Sequence, residues 1–295
     1  MILYALLSIV SLYISIRTYI LLNKRKRPNQ YLYNKIKNRN FIFTKYGNSS
    51  VLFKKSENIS NKLLLTIHGF GADLDGFNTI EDLAIKNDYN YLSIDLYGRG
   101  LSDSQQMNNS ELFEDQITEI VNIYKYKYKL KEINVLAHSM GCIITNNIIK
   151  QNKINFKSII LLAPAGLGMK GYNIELFKKK YLGEFLVILF GDIYLLIHNL
   201  YCYNIKKHIP KKFLLYSYNH YGYLKSLLST IRYMDKDNVD YRHIKNLLVI
   251  YSVDDRITIM NKKKFDLNCK FIQLKKYGHS ELLENSIKYI FDYLN

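Results

Sequence analysis

VLAHSMGCII, residues 135–144, joins an apolar run, Val135–Ala137, to a helix-compatible one, Cys142–Lys150. The junction reads Ala137-His138-Ser139-Met140-Gly141, a serine with a small residue two positions away on each side. A serine hydroxyl is a poor nucleophile until a base takes its proton. To meet both base and substrate, its Oγ must project from a sharp turn, and a strand-to-helix turn crowds the backbone enough to require small flanking residues. The competing reading is a buried serine acting as a helix N-cap. The rest of the sequence bears on the choice.

Upstream, the apolar run Leu63–Ile67 leads into His68-Gly69-Phe70-Gly71. A glycine-rich loop after a central strand can aim a backbone N–H at a developing oxyanion, and the residue after the nucleophile supplies a second donor. This nominates the N–H groups of Phe70 and Met140; His68 reads as a hydrogen bonder that shapes the loop. A second run, Tyr91–Ile94, opens into Asp95-Leu96-Tyr97-Gly98-Arg99-Gly100-Leu101-Ser102, where the glycines permit tight turns.

Downstream, Leu247–Tyr251 ends in Ser252-Val253-Asp254-Asp255-Arg256, and Phe271–Leu274 leads to Tyr277-Gly278-His279-Ser280-Glu281. Each places an acid or a histidine just past a strand, where an α/β sheet presents its active site. His279 is the candidate base; Asp254 and Asp255 compete for the acid.

These runs, together with Ile133–Ala137 and Ile159–Leu162, read as buried parallel strands. Helical stretches separate them at Gly76–Lys86, Glu111–Tyr124 and Met140–Gln151. Such alternation predicts an α/β fold with helices on both faces of the sheet. YKYKYKL, residues 124–130, has the period of a strand, yet a helix end is expected there because Ile133–Ala137 already supplies the next strand. A long insertion separates Ala163 from Leu247. Its apolar stretch at 185–203 reads as helices of a lid, because Asp192 at its centre would be costly in a bilayer.

Taken together, HGFG, DLYGRGLS, AHSMG, DDR and GHSELLE resemble the α/β-hydrolase superfamily, most closely its lid-bearing serine esterase and monoacylglycerol lipase branch. Ala137 stands where the pattern usually has glycine. The resemblance runs from about residue 41 to the end. It implies a mostly parallel sheet of about eight strands with helices on both faces, within a hydrolase domain over 28–295 that carries an inserted lid at 167–243. It also selects Asp255 as the acid, since the superfamily's acid immediately precedes a continuation like Arg256-Ile257. Ser139, Asp255 and His279 then form a catalytic triad, with Phe70 and Met140 as the oxyanion hole and no need for a metal or cofactor. The implied activity is hydrolysis of a small-molecule or lipid carboxylic ester. An acyltransferase, a carbon–carbon bond hydrolase and a non-catalytic binding module of the same fold are the alternatives.

The formal net charge is +17, which could signal nucleic acid or an anionic surface. The lysines are scattered and no nucleic-acid motif is present, so no nucleic-acid partner is expected. Cys142, Cys202 and Cys269 are too widely spaced for a metal site or a disulfide framework; Cys142 reads as helix packing. Residues 1–22 carry a single charge, Arg17, and precede Lys24-Arg25-Lys26-Arg27-Pro28. About 20 mostly apolar residues suffice to cross a bilayer. Residues 1–27 are therefore expected to be an uncleaved membrane anchor, the catalytic domain being cytosolic by the positive-inside rule. A cleaved signal for the secretory pathway and a buried helix of the fold are the competing readings.

Overall fold

The apolar runs become the centre of one eight-stranded sheet. In the computed structural model, which describes residues 2–23, 39–105, 111–168, 175–187, 189–191, 223–234 and 239–295, the strands are β1 (Asn40–Thr44), β2 (Gly47–Lys54), β3 (Lys62–Ile67), β4 (Asn90–Ile94), β5 (Glu132–His138), β6 (Ser158–Leu162), β7 (Leu247–Ser252) and β8 (Lys270–Leu274). Their order is β1-β2-β4-β3-β5-β6-β7-β8. The pairs β1–β2 and β2–β4 are antiparallel; every pair from β4 to β8 is parallel. Parallel strands share one carboxyl-terminal edge, so the loops after β3, β4, β5, β7 and β8 gather there.

β4 and β7 are buried along their whole length because helices cover both faces. Helix α1 is Ile2–Asn23. On the sheet's faces, α2 is Asn78–Lys86, α3 Glu111–Tyr128 and α4 Met140–Lys150. Leu65, Val135, Leu161 and Val249 pack with α3 and α4. Their neighbours Leu64, Leu136, Ile160 and Leu248 face the other way, onto α2 and the helix Ile287–Leu294. This alternation along strands that are apolar on both sides is what the uninterrupted runs encode.

The helix at 111 runs on to Tyr128, and Lys129 ends it with φ +53°. Tyr124 and Tyr128 lie on one face, four residues apart, and both rings pack on Phe53, with centroids 4.4 and 4.5 Å away. Tyr126 points to solvent. The period of two is thus incidental to a helical face. The stretch expected as helix from Gly76 starts instead as a 3-10 turn, Leu74–Phe77, with Asp73 accepting from the Asp75 amide at 3.1 Å.

Between β6 and β7 lies the segment read as a lid. Its described parts include α5 (Glu175–Lys178), helical backbone at 182–187 and α6 (Tyr223–Tyr233). Most of the apolar stretch 185–203 lies outside the described residues, as do Cys202 and the basic block Lys24–Arg27.

The amino-terminal expectation is corrected. Among the described residues no helix is long and apolar enough to cross a membrane. The uncharged run of α1 ends at Arg17 and is diluted by Ser8, Ser11 and Ser15. At about 1.5 Å per residue it reaches roughly 24 Å, short of the roughly 30 Å hydrocarbon core. The membrane as partner, the transmembrane helix and the membrane-anchored location are therefore withdrawn.

Candidate active site

Ser139 sits where β5 turns into α4, with φ +54° and ψ −115°. This is a region that non-glycine residues enter only when their surroundings hold them there. The holding bonds are visible. The Ser139 amide donates to the Leu162 carbonyl at 2.9 Å, extending the β5–β6 ladder into the turn. The Ser139 carbonyl accepts from the amides of Cys142 at 3.0 Å and Ala165 at 3.2 Å. Gly141 is small of necessity, because a Cβ there would stand 2.4 Å from the Ile67 carbonyl oxygen. Ala137 is fully buried against the same core. Ser139 does precede a helix, but its side chain makes no cap hydrogen bond. The turn thus has the shape of an elbow and not of an N-cap.

The loop after β3 packs directly on this turn: a Cβ at Gly69 would lie 3.2 Å from Ser139 Cβ. His68 is fully buried, and burial lowers its pKa to about 4. The neutral ring donates from Nδ1 to the Gly69 carbonyl at 2.8 Å and accepts the Leu96 amide on Nε2 at 3.0 Å. It is a brace between two loops. Phe70 follows it, and Met140 opens α4, where the first amides have no intrahelical acceptor. Asp95 accepts the Leu74 amide at 2.9 Å and the Leu101 amide at 3.0 Å. Gly100, at φ +49°, leaves room for that carboxylate, which a Cβ would meet at 2.2 Å.

From the loops after β7 and β8 come the candidate acid and base. His279 donates from Nδ1 to Asp255 Oδ2 at 2.7 Å. The same carboxylate accepts the Ile257 amide at 2.7 Å, the Thr258 amide at 3.1 Å and the Thr258 hydroxyl at 2.7 Å. Burial would push the Asp255 carboxyl up, but His279 and these donors outweigh it and hold the group at about 2. Asp254 is exposed and turned away; its Oδ2 accepts the Lys276 amide at 2.6 Å, tying the loop after β7 to the loop after β8. His138, beside Ser139, donates from Nε2 to the His279 carbonyl at 3.1 Å, and the two rings lie 4.7 Å apart. His279 and Asp255 thus meet directly, and His279 touches His138, the residue before Ser139; Phe70 and Met140 lie on the loop and helix that flank the serine. Cys142 is excluded as a nucleophile: burial pushes its thiol up, and Sγ donates to the Ala137 carbonyl at 3.3 Å.

Three residues at the candidate site carry no mark in the sequence: Thr258, which bonds Asp255; His138, which bonds the His279 carbonyl; and Arg99, which bonds the Phe70 carbonyl. Thr258, three residues past Asp255, offers only the spacing of a turn donor; the other two depend on contacts distant in sequence.

Comparison with known proteins agrees with this fold. Residues 59–264, more than half of the chain, match the family described as serine aminopeptidase, S33. A probable lysophospholipase, BODYGUARD 4, from Arabidopsis thaliana is 33% identical over 110 residues, covering 37% of this chain and 25% of that protein. A putative esterase/lipase 2 from Mycoplasma genitalium is 25% identical over 148 residues, covering 50% of this chain and 51% of that protein. The chain thus spans from a quarter to about half the length of these curated relatives. Among solved structures, a thermophilic esterase from Thermogutta terrifontis superposes with a TM-score of 0.66 at 14% identity, over 87% of this chain and 97% of that one. The 2-hydroxy-6-oxo-6-phenylhexa-2,4-dienoate hydrolase from Rhodococcus sp. strain RHA1 gives 0.67 at 16% identity, over 88% and 98%. At such identities the likeness is one of fold.

Proposed function

Because the chain belongs to the serine aminopeptidase S33 family of the α/β-hydrolase superfamily, we propose that it is a serine hydrolase of carboxylic esters acting through an acyl-enzyme. Ser139 Oγ attacks the acyl carbon while His279 Nε2 takes its proton. The Asp255 carboxylate fixes the imidazole and stabilises its cationic form. The negative charge that develops on the carbonyl oxygen is met by the N–H groups of Phe70 and Met140; one such donor is typically worth about 3 kcal/mol. Collapse expels the alcohol, which leaves with the proton from His279. Water then gives a proton to His279 and attacks the acyl carbon, the carboxylic acid departs, and the proton returns to Ser139. No step requires a metal or cofactor.

The observation that carries this reading is the 2.7 Å contact between His279 Nδ1 and Asp255 Oδ2 beside a serine held at φ +54°. The substrate proposed is a lipid ester with one acyl chain. Tyr223 and Leu227 of α6 pack with Phe70 and Val187, giving the oxyanion loop an apolar flank. The description of one relative as a probable lysophospholipase points the same way. In this reading residues 28–295 form the hydrolase domain and 167–243 its lid.

Labelling with a fluorophosphonate probe and hydrolysis of p-nitrophenyl esters test the proposal. Wild type should do both and Ser139→Ala neither, with the fold retained. Hydrolysis by Ser139→Ala at the wild-type rate would overturn it.

A further inference from the structure

Arg99 is fully buried in the turn after β4, and no ion pair reaches it among the described residues. Stranding a charge in this way is costly unless dipoles replace its water. They do so on two sides. Nε donates to the Phe70 carbonyl at 3.1 Å and Nη1 to the Tyr97 carbonyl at 3.1 Å. Nη1 also donates to the Ser226 hydroxyl at 2.8 Å, and Nη2 to the Thr230 hydroxyl at 2.9 Å. The guanidinium lies between the rings of Phe70 and Phe113, at 5.7 and 5.3 Å from their centroids. Two of its four partners therefore belong to α6, four residues apart on one helical face.

The seat of α6 is independently visible at Gly98. This residue has φ +75°, and a Cβ on it would stand 2.1 Å from Ser226 Oγ. One turn earlier on α6, the Tyr223 hydroxyl donates to the Gly71 carbonyl at 3.3 Å. Helix α6 thus grips the oxyanion loop twice, at Gly71 directly and at Phe70 through the guanidinium.

We propose that Arg99 is a positioning residue that makes the geometry of the oxyanion loop depend on the seating of α6. The inference rests on the assignment of Phe70 as an oxyanion donor. With α6 seated, the fork of Arg99 is fully engaged and pins the Phe70 carbonyl, which fixes the backbone of residue 70 and so the aim of its N–H. With α6 displaced, the buried cation loses both hydroxyls. It must then turn toward water, and it releases Phe70. Seating of α6 and readiness for the transition state become one event.

Hydrogen exchange of the full chain tests this without relying on activity. The paired variant Ser226→Ala/Thr230→Val removes the α6 partners of Arg99; Arg99→Lys keeps the charge but not the planar fork. In both, amides at 69–72 should exchange about tenfold faster or more, as expected when a charge-assisted bond is lost. Amides of α4 should be unchanged. On p-nitrophenyl butyrate, kcat should fall about tenfold or more with KM within about twofold, the signature of an interaction made only in the transition state. Adding Arg99→Lys to the paired variant should lower kcat little further. Unchanged exchange at 69–72 in the paired variant, or kcat losses that merely follow melting temperature, would overturn the inference. If wild type shows no Ser139-dependent ester hydrolysis, the functional reading fails while exchange at 69–72 still decides this one.

Discussion

His279 and Asp255, which come from the loops after adjacent parallel strands β8 and β7, meet at 2.7 Å through Nδ1 and Oδ2. The contact fixes more than a distance. It engages the ring through Nδ1 and not Nε2, and it uses only one of the two carboxylate oxygens. The other, Oδ1, is committed to the amides of Ile257 and Thr258. Asp255 therefore cannot swing without breaking the hydrogen bonds of its own loop.

The first prediction separates the two adjacent aspartates. Asp255→Asn turns an acceptor into an amide that cannot orient the imidazole, and kcat should fall by about 10⁴-fold, as in serine proteases. Asp254→Asn keeps an oxygen for the Lys276 amide and should cost under about tenfold, since what it loses is the extra strength of an exposed charge-assisted bond. Steady-state kinetics on a soluble ester distinguishes them; the opposite ranking would reassign the acid.

The second concerns backbone strain. A serine at φ +54° carries a cost of about 1–3 kcal/mol that glycine does not. Ser139→Gly should abolish hydrolysis and also raise the melting temperature, by about 2–4 °C for each kcal/mol recovered in a chain of this size. Thermal denaturation reads the sign directly, and a lower melting temperature would mean that the turn is not strained.

A third follows from Glu114, buried between α3 and α4. Burial raises its carboxyl to about 7, although the Asn147 side-chain amide donates to Oε1 at 2.8 Å. The folded chain therefore holds a proton that the unfolded chain gives up near its ordinary pKa. The stabilisation this brings is complete below that ordinary value and is lost as pH rises through about 7. Glu114→Gln keeps the acceptor and should flatten this part of the stability profile, leaving the variant more stable than wild type at pH 8. Urea unfolding at pH 5 and pH 8 measures both, and an unchanged slope would exclude Glu114 as its source.

The fourth concerns Gly141. Its Cβ would strike main-chain oxygen at Ile67 and His68, which cannot turn aside as a side chain can. Gly141→Ala should destabilise the fold by about 2 kcal/mol or more, within the range of overpacked cores, and lower kcat by moving Ser139. The corresponding change at Gly76, where a Cβ would meet nothing within 4 Å, should do neither and serves as the control.

What was legible in the sequence follows from the physics that writes each feature. The parallel strands could be read because strands covered on both faces must be apolar without interruption, as Leu63–Ile67 and Leu247–Tyr251 are. The hairpin β1–β2 could not: Asn48, Ser49 and Ser50 are polar, yet Ser49 and Ser50 are buried, with the Ser49 hydroxyl accepting from the Gln116 side-chain amide and the Ser50 backbone amide donating to the Ser102 hydroxyl. The candidate site residues were nameable because local turn chemistry marks them, small residues around Ser139 and strand ends before Asp255 and His279. Arg99 was invisible as a functional residue because its partners lie 127 and 131 positions away. The amino-terminal stretch was misread because hydropathy counted its residues without measuring how far the uncharged run reaches before Arg17.

The elbow also has a place in time. Its geometry is complete once β5, α4 and the end of β6 have formed, since the Leu162 carbonyl and the Ala165 amide are the last groups it needs. The loop that delivers His279 is translated much later, behind the whole segment between β6 and β7. In a chain emerging from the ribosome, every residue that holds this turn is therefore present long before His279 is made. A product that terminates before β8 would carry the residues of the elbow without the base proposed to serve it.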